Sequence, residues 1–358
     1  MGSYAYLPLE RVVFGQPAAQ AAAEEAARIG ARRVFVVASK SLSRKTSAIK
    51  DIAQALGSSY AGLFDECVAH TPWPSVIAAA DAVRAAAPDL ILTVGGGTPI
   101  DTVKILQLVL AHGARVAEDL ERLRAPQLKE SRPSPVRQVA IPTTLSGAEF
   151  SNLGGGTDPR TRIKHSFMGA DIGARAVILD PAITLHTPEW LWLSTGIRGV
   201  DHAVEALCSV DAHPYCDGLA LHALRLFAEG LPRTKAAPRD LAARLLCQQA
   251  SWLAASTIAR VNYGASHGSG HALGATADVP HGRGLRLLQL RRAQALKFLG
   301  LAYPVREHEL HDFDGVDRRA AAHREDQVGM RGAHRVRRRD HARPGRVRDT
   351  FVEEPGVA

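Results

Sequence analysis

Cysteine is scarce and scattered in this chain: Cys67, Cys208, Cys216 and Cys247 form no CxxC pair. That excludes a disulfide scaffold, gives no basis for a thiolate zinc cluster, and leads us to expect a reducing compartment. Long hydrophobic runs are also missing. No stretch approaches the roughly 18–20 apolar residues that a bilayer-spanning helix needs. The N-terminal MGSYAYLPLERVVFG has no basic, apolar, small-residue signal layout, so a cytoplasmic location is expected. What the chain does have is 358 residues with 46% apolar and 22% charged content. Disorder throughout is excluded, and the length suits two globular domains.

The net charge of +8 raises nucleic acid as a partner until the excess is located. From Arg283 to the end there are 16 Arg and 1 Lys against 11 acidic residues, whereas the preceding part is nearly balanced, with 27 basic and 25 acidic residues. The stretch 328–351 is Arg-rich, has no aromatic interleaving and shows no apolar repeat at the helical period. It can be read as a basic tail, as a solvated end, or as translation of a frame shifted relative to related genes. The Arg, Gly, Ala, Asp and His mixture favours the shifted frame, and residues from about 305 onward are expected to be poorly ordered.

Up to about Gly282, β-rich runs alternate with Ala-rich helical stretches, the pattern of a sheet with covering helices. VFVVAS (34–39), DLILTV (89–94), QVAIPTT (138–144) and AVILDP (176–181) read as strands. Helical segments are predicted near 188–209, 216–230, 239–259 and 266–274. The expected fold class is an α/β nucleotide-binding domain over 1–181 and an all-α domain over 182–282, hinged near 181–187, with a divergent segment over 283–358.

Two constellations carry chemistry. In LTVGGGTPIDTVK (92–104), Gly95, Gly96 and Gly97 follow a strand, Thr98 is placed to cap a helix, Pro99 fits its first turn and Asp101 is the acidic capping partner. Side-chain-free backbone at a helix start suits a pyrophosphate, although a tight turn alone would use the same glycines. In NYGASHGSGHALGATADVPHG (262–282), His267 and His271 lie four apart and His281 follows, while TGIRGVDHAVEALCS (195–209) contributes His202. Such imidazoles can gather round Fe²⁺ or Zn²⁺, or be structural.

GGGTPIDTVK, IPTTLSGAEFS (141–151), RIKHSF (162–167), AVILDP, GVDHAVEALCS and SHGSGHALGATADVPHG occur here in an order that resembles the iron-containing alcohol dehydrogenase family, in particular its maleylacetate reductase branch. The resemblance implies an α/β domain that binds NADH or NADPH, a helical domain closing over it, and a reactive cleft between them. It implies that Gly95, Gly96, Gly97, Thr98, Asp101 and Lys104, with Thr143, Thr144 and Leu145, line the cofactor. It places the family's metal-ligating histidines at His202, His267 and His281, and the histidine near the reacting carbon at His271. The aspartate ligand's position is Arg198, a guanidinium that cannot ligate a cation, so metal independence is expected and Arg198 is a candidate for a substrate carboxylate.

At the end of the first predicted strand stand Ala38, Ser39 and Lys40, with no carboxylate for a ribose 2′-hydroxyl, which leaves both dinucleotides open. The expected activity is reduction of maleylacetate to 3-oxoadipate, with Arg198, His202, His267, His271 and His281 as catalytic candidates. A metal-dependent alcohol dehydrogenase and an inactive nucleotide-binding remnant are the alternatives. The expected partner is a small carboxylate substrate, with homodimerisation allowed and no membrane or nucleic-acid partner.

Overall fold

The computed structural model describes residues 4–125 and 127–263. The expectations for His267, His271 and His281, for the helix over 266–274 and for the Arg-rich segment over 283–358 lie outside the described residues. Among the described residues the strands are β1 (Arg11–Phe14), β2 (Val34–Ala38), β3 (Tyr60–Phe64), β4 (Leu90–Gly95), β5 (Arg137–Pro142), β6 (Leu153–Asp158), β7 (Ile163–Met168) and β8 (Ala176–Leu179). The helices are α1 (Ala18–Ile29), α2 (Lys40–Lys45), α3 (Ala48–Leu56), α4 (Trp73–Ala86), α5 (Gly97–Ala111), α6 (Leu120–Leu123), α7 (Glu189–Leu207), α8 (Pro214–Ala236) and α9 (Leu241–Ala255).

Six strands form a parallel sheet in the order β1-β8-β5-β4-β2-β3. VFVVA of β2 and LILTVG of β4 are buried at every position, as strands covered on both faces must be. Alternation divides them: Val34, Val36 and Ala38 pack with α1 and α3, whereas Phe35 and Val37 pack with α4 and α5. The chain runs outward from β2 to β3 and returns across β2 to β4. The crevice between the carboxyl ends of β2 and β4 is therefore the switch point at which open α/β sheets bind ligands. There the Ser39 N–H donates to the Val94 carbonyl at 3.1 Å.

The structure adds strands that the sequence pattern did not show. β1 has four residues, β3 is a half-buried edge strand, and β6 and β7 pair with each other in a separate antiparallel hairpin. β6, LGGGTD, is poor in β-formers, and its glycines let it lie close against α5: a Cβ at Gly156 would come 2.8 Å from Ile105 Cδ1.

After β8 the Asp180 carboxylate accepts from Ala18 N at 2.8 Å and Ala182 N at 2.7 Å, and a 3₁₀ turn at Ile183–His186 redirects the chain into α7. α7, α8 and α9 approach closely because small residues face large ones: a Cβ at Gly199 would stand 2.5 Å from Phe227, and one at Gly230 would stand 2.7 Å from Cys247 Sγ. Trp192 donates to Thr234 Oγ1 at 3.2 Å, and the Arg244 guanidinium lies 4.5 Å over its ring. This layer grips the loop after β5. Leu145 N donates to Thr195 Oγ1 and Leu145 O accepts from Ser251 Oγ, both at 3.1 Å, while Thr187 Oγ1 donates to Thr143 O at 2.7 Å.

Candidate active site

β4 ends at Gly95 with φ of +150°, a conformation that L side chains rarely adopt, and a Cβ there would come 2.9 Å from Pro99 Cγ. Gly96 caps α5, which starts at Gly97, and no side chain caps the helix. Thr98 is thus not the cap, and the Asp101 carboxylate does not act in a capping box; it accepts instead from Gly155 N at 3.2 Å. The physical reason is that two residues without side chains let the helix begin directly after the strand. Its first N–H groups are left without side-chain acceptors and sit at the positive end of the helix dipole. The approach is tight, since a Cβ on Gly96 would stand 2.9 Å from Thr144 Cγ2.

A cleft of about 1150 Å³ opens above this loop. It runs from the end of β2 across the glycine turn to α7, and Ser39, Gly96, Gly97, Thr98, Asp101, Thr143, Thr144 and Arg198 all line it. Of the residues expected to line the cofactor, Gly95, Leu145 and Lys104 are not on its wall. Leu145 is wholly buried, with its side chain in the core of the helical layer, because its backbone is held by α7 and α9. Lys104 is also wholly buried; its ammonium donates to Ala148 O, to Ser151 Oγ at 3.1 Å and to Leu153 O at 2.8 Å, which leaves it no donor for a cofactor. Burial pushes Lys104 down from the ordinary lysine range, against the pull of Asp101 and Glu149. The family resemblance implied a cofactor role for Lys104; the helix turns it inward.

Lys40, Arg44, Lys45, Lys164 and Arg198 line the cleft, and among the described residues Asp101 is the one carboxylate on its wall. At the end of β2, carboxylates that the linear sequence did not place there arrive from beyond β3. Lys40 pairs with Glu66 at 2.7 Å, and Arg44 donates to Asp65 at 2.9 and 3.1 Å and to Glu66. The cluster is charge-balanced; its cations Lys40 and Arg44 line the cleft, whereas the Asp65 and Glu66 that pair with them do not.

The other end of the cleft holds Arg198 and, on β7, Lys164. Lys164 was passed over in the sequence although it stands in RIKHSF; a lone strand lysine reads as a solvated one. Its side chain opens onto the cleft, yet protein surrounds it deeply enough that burial lowers its pKa, with Asp101 opposing the shift and Arg198 reinforcing it. Burial likewise pulls Arg198 down to about 10, against Asp101 and Asp201, and the guanidinium stays protonated at neutral pH.

Arg198 Nε donates to His202 Nε2 at 3.3 Å, and the His202 ring stacks on Tyr263 at 5.7 Å. With that nitrogen accepting, neutral His202 carries its proton on Nδ1. His202 thus turns Nε2 to a guanidinium, which would repel a cation placed between them. Among the described residues no group of three or more His, Cys, Asp or Glu could hold a metal ion. His267 and His281, the other two positions expected to ligate a metal, lie outside the described residues.

Residues 9–181 match the model of the iron-containing alcohol dehydrogenase family, and residues 192–294 match that of the Fe-containing alcohol dehydrogenase family, C-terminal. The chain is 34% identical over 298 residues to dehydrogenase FUM7 of Gibberella moniliformis, covering 76% of this chain and 68% of that protein. It is 30% identical over 271 residues to a maleylacetate reductase of Rhizobium sp., covering 76% and 69%. The crystal structure of maleylacetate reductase from Rhizobium sp. strain MTP-10005 superposes with a TM-score of 0.66 at 29% identity, over 80% of this chain and 73% of that one. The chain belongs to the iron-containing alcohol dehydrogenase family and is an NAD(P)-dependent oxidoreductase.

Proposed function

We propose that this chain is an NAD(P)H-dependent reductase of a carboxylate-bearing, electron-poor keto compound of the maleylacetate type. The observation that carries the reading is Arg198, which stands at the position of the family's aspartate ligand, donates to His202 and turns a cationic group to the cleft. A fixed guanidinium suits a planar carboxylate, and a simple alcohol has no use for it. Maleylacetate reductases among the relatives support the same substrate class.

The uncapped start of α5, with Gly96 and Gly97, is the proposed seat of the cofactor pyrophosphate, Thr143 and Thr144 line the dinucleotide, and Ser39 meets its ribose end. A dihydronicotinamide bound there supplies hydride to the carbon–carbon double bond conjugated with the ketone, and the resulting enolate takes up one proton. Arg198 holds the substrate and stabilises the developing negative charge. His202, accepting from Arg198 Nε, fixes the guanidinium plane. His267, His271 and His281 remain proposed contributors from outside the described residues, with His271 the candidate to return the proton. At the ribose end the balanced cluster of Lys40, Arg44, Asp65 and Glu66 supports use of either dinucleotide.

Titrating the purified chain with NADH and NADPH, then assaying maleylacetate with and without chelator, tests the proposal. Turnover that survives chelation is expected. Stoichiometric Fe²⁺ or Zn²⁺ whose removal abolishes turnover would overturn it in favour of a metal-dependent alcohol dehydrogenase. A folded chain that binds dinucleotide and turns over neither maleylacetate nor alcohols would mark a remnant.

A further inference from the structure

The β6–β7 hairpin delivers a second cation to the substrate end of the cleft. Lys164 stands on β7 opposite Thr157, and its side chain lies flat across the neighbouring position on β6, Gly155. A Cβ on Gly155 would come 2.2 Å from Lys164 Cε and 2.9 Å from Nζ, so the absence of a side chain at 155 creates the channel in which the lysine lies. Gly155 N in turn donates to the Asp101 carboxylate, which ties the hairpin to the start of α5. Lys164, Asp101 and Arg198 thus converge from three elements on one end of the cleft and interact electrostatically; Asp101 is already paired with the buried Lys104 at 3.8 Å, and Asp201 also acts on Arg198. No hydrogen bond among the described residues occupies the Lys164 ammonium, and Arg198 Nε spends one donor on His202, leaving the guanidinium's terminal nitrogens for another acceptor. Two like charges on the cleft wall, where Asp101 is the one carboxylate among the described residues, form a site that an added carboxylate neutralises.

We propose that Lys164 is a substrate-binding residue that acts with Arg198, the two holding the two carboxylates of a dicarboxylate substrate so that the bond to be reduced lies between them, above Asp101. The proposal rests on the reading of the chain as a carboxylate reductase and deepens it, since one cation would serve a monocarboxylate and two select a diacid. Gly155 makes that selection available by leaving the path of the lysine open.

The test uses the full chain and three variants: Lys164→Gln, Lys164→Arg and Gly155→Ala. Gly155 has no left-handed backbone, and its added methyl meets only the far part of a flexible side chain, so Gly155→Ala is expected to fold with Lys164 displaced. Lys164→Gln and Gly155→Ala should each raise KM for maleylacetate about tenfold to a hundredfold, the loss of one charge-assisted hydrogen bond. Affinity for NADPH and NADH should stay within about threefold, and Lys164→Arg should restore most of the KM. Binding of maleate against crotonate to the NADH complex, followed by the dinucleotide's fluorescence, gives a readout that needs no turnover. The wild type should prefer the diacid, and Lys164→Gln should erase the preference. A KM and a diacid preference unchanged in Lys164→Gln would overturn the proposal while leaving the reductase reading intact, as would a loss confined to dinucleotide affinity. Failure of the wild type to bind either dinucleotide or maleate would overturn both.

Discussion

The sheet half and the helical half of this molecule are close-packed by opposite means. In the sheet half, branched side chains of β2 and β4 fill both faces, and the covering helices need only complementary stripes. In the helical half the core is built of alanine, among them Ala203, Ala206, Ala220, Ala223, Ala250 and Ala254, with Phe227 and Leu231 set into spaces left by Gly199 and Gly196. The first kind of core tolerates volume-conserving exchange, whereas the second is destabilised when one methyl is added. The difference also separates roles: the sheet half presents the glycine turn, the helical half presents Arg198, and the loop after β5 joins them.

Gly96→Val probes the sheet half's ligand seat and should have the largest effect, because the added side chain meets Thr144 and blocks the backbone from a pyrophosphate. Dinucleotide binding should be lost in calorimetric titration although the variant melts as a folded protein; retained affinity would remove the seat from this loop. Leu145→Ala acts at the junction. Emptying a wholly buried position costs about 2–5 kcal/mol, read from urea unfolding. If the halves depend on this contact, the single transition should split in two, and an unsplit, equally stable transition would show that the junction is held elsewhere.

Glu149→Gln tests the buried carboxyl beneath the cleft, whose pKa burial raises from 4.5 to about 7, with Lys104 and a backbone bond opposing. A carboxyl raised in the folded state favours folding most below about pH 4.5 and loses that advantage as pH climbs through 7. Glutamine keeps the neutral form's shape, so the variant should gain on the wild type between pH 5 and 8 by up to about 3 kcal/mol. A stability difference that does not change with pH would mean Glu149 is ionised in the fold. Gly199→Ala should cost least, about 1–3 kcal/mol in thermal melts, as the methyl pushes into Phe227. A neutral result would show the helical half to be looser than its contacts indicate.

The sheet was legible in the sequence wherever burial on both faces produced an unbroken apolar run, as at 34–38 and 90–95, and the helices over 189–207 and 241–255 where apolar residues recurred among polar ones. β6 was not legible, because its three glycines are chosen for what must pass beside them, α5 on one side and Lys164 on the other. In the site, the glycine turn and Arg198 could be read from order and chemistry along the chain. Lys164 could not, since its importance lies in a diagonal neighbour across a hairpin. Lys104 and Leu145 were misplaced for the converse reason: proximity in sequence to a ligand loop says nothing about which way a side chain turns.

The Leu145 amide, bonded to a threonine hydroxyl of α7 while its carbonyl is held by a serine hydroxyl of α9, belongs to neither half's backbone ladder. Its hydrogen can exchange with solvent only when the helical layer lifts from the loop after β5. The exchange rate of this one amide therefore measures how often the cleft comes apart, separately from the global unfolding that frees the amides of β2 and β4.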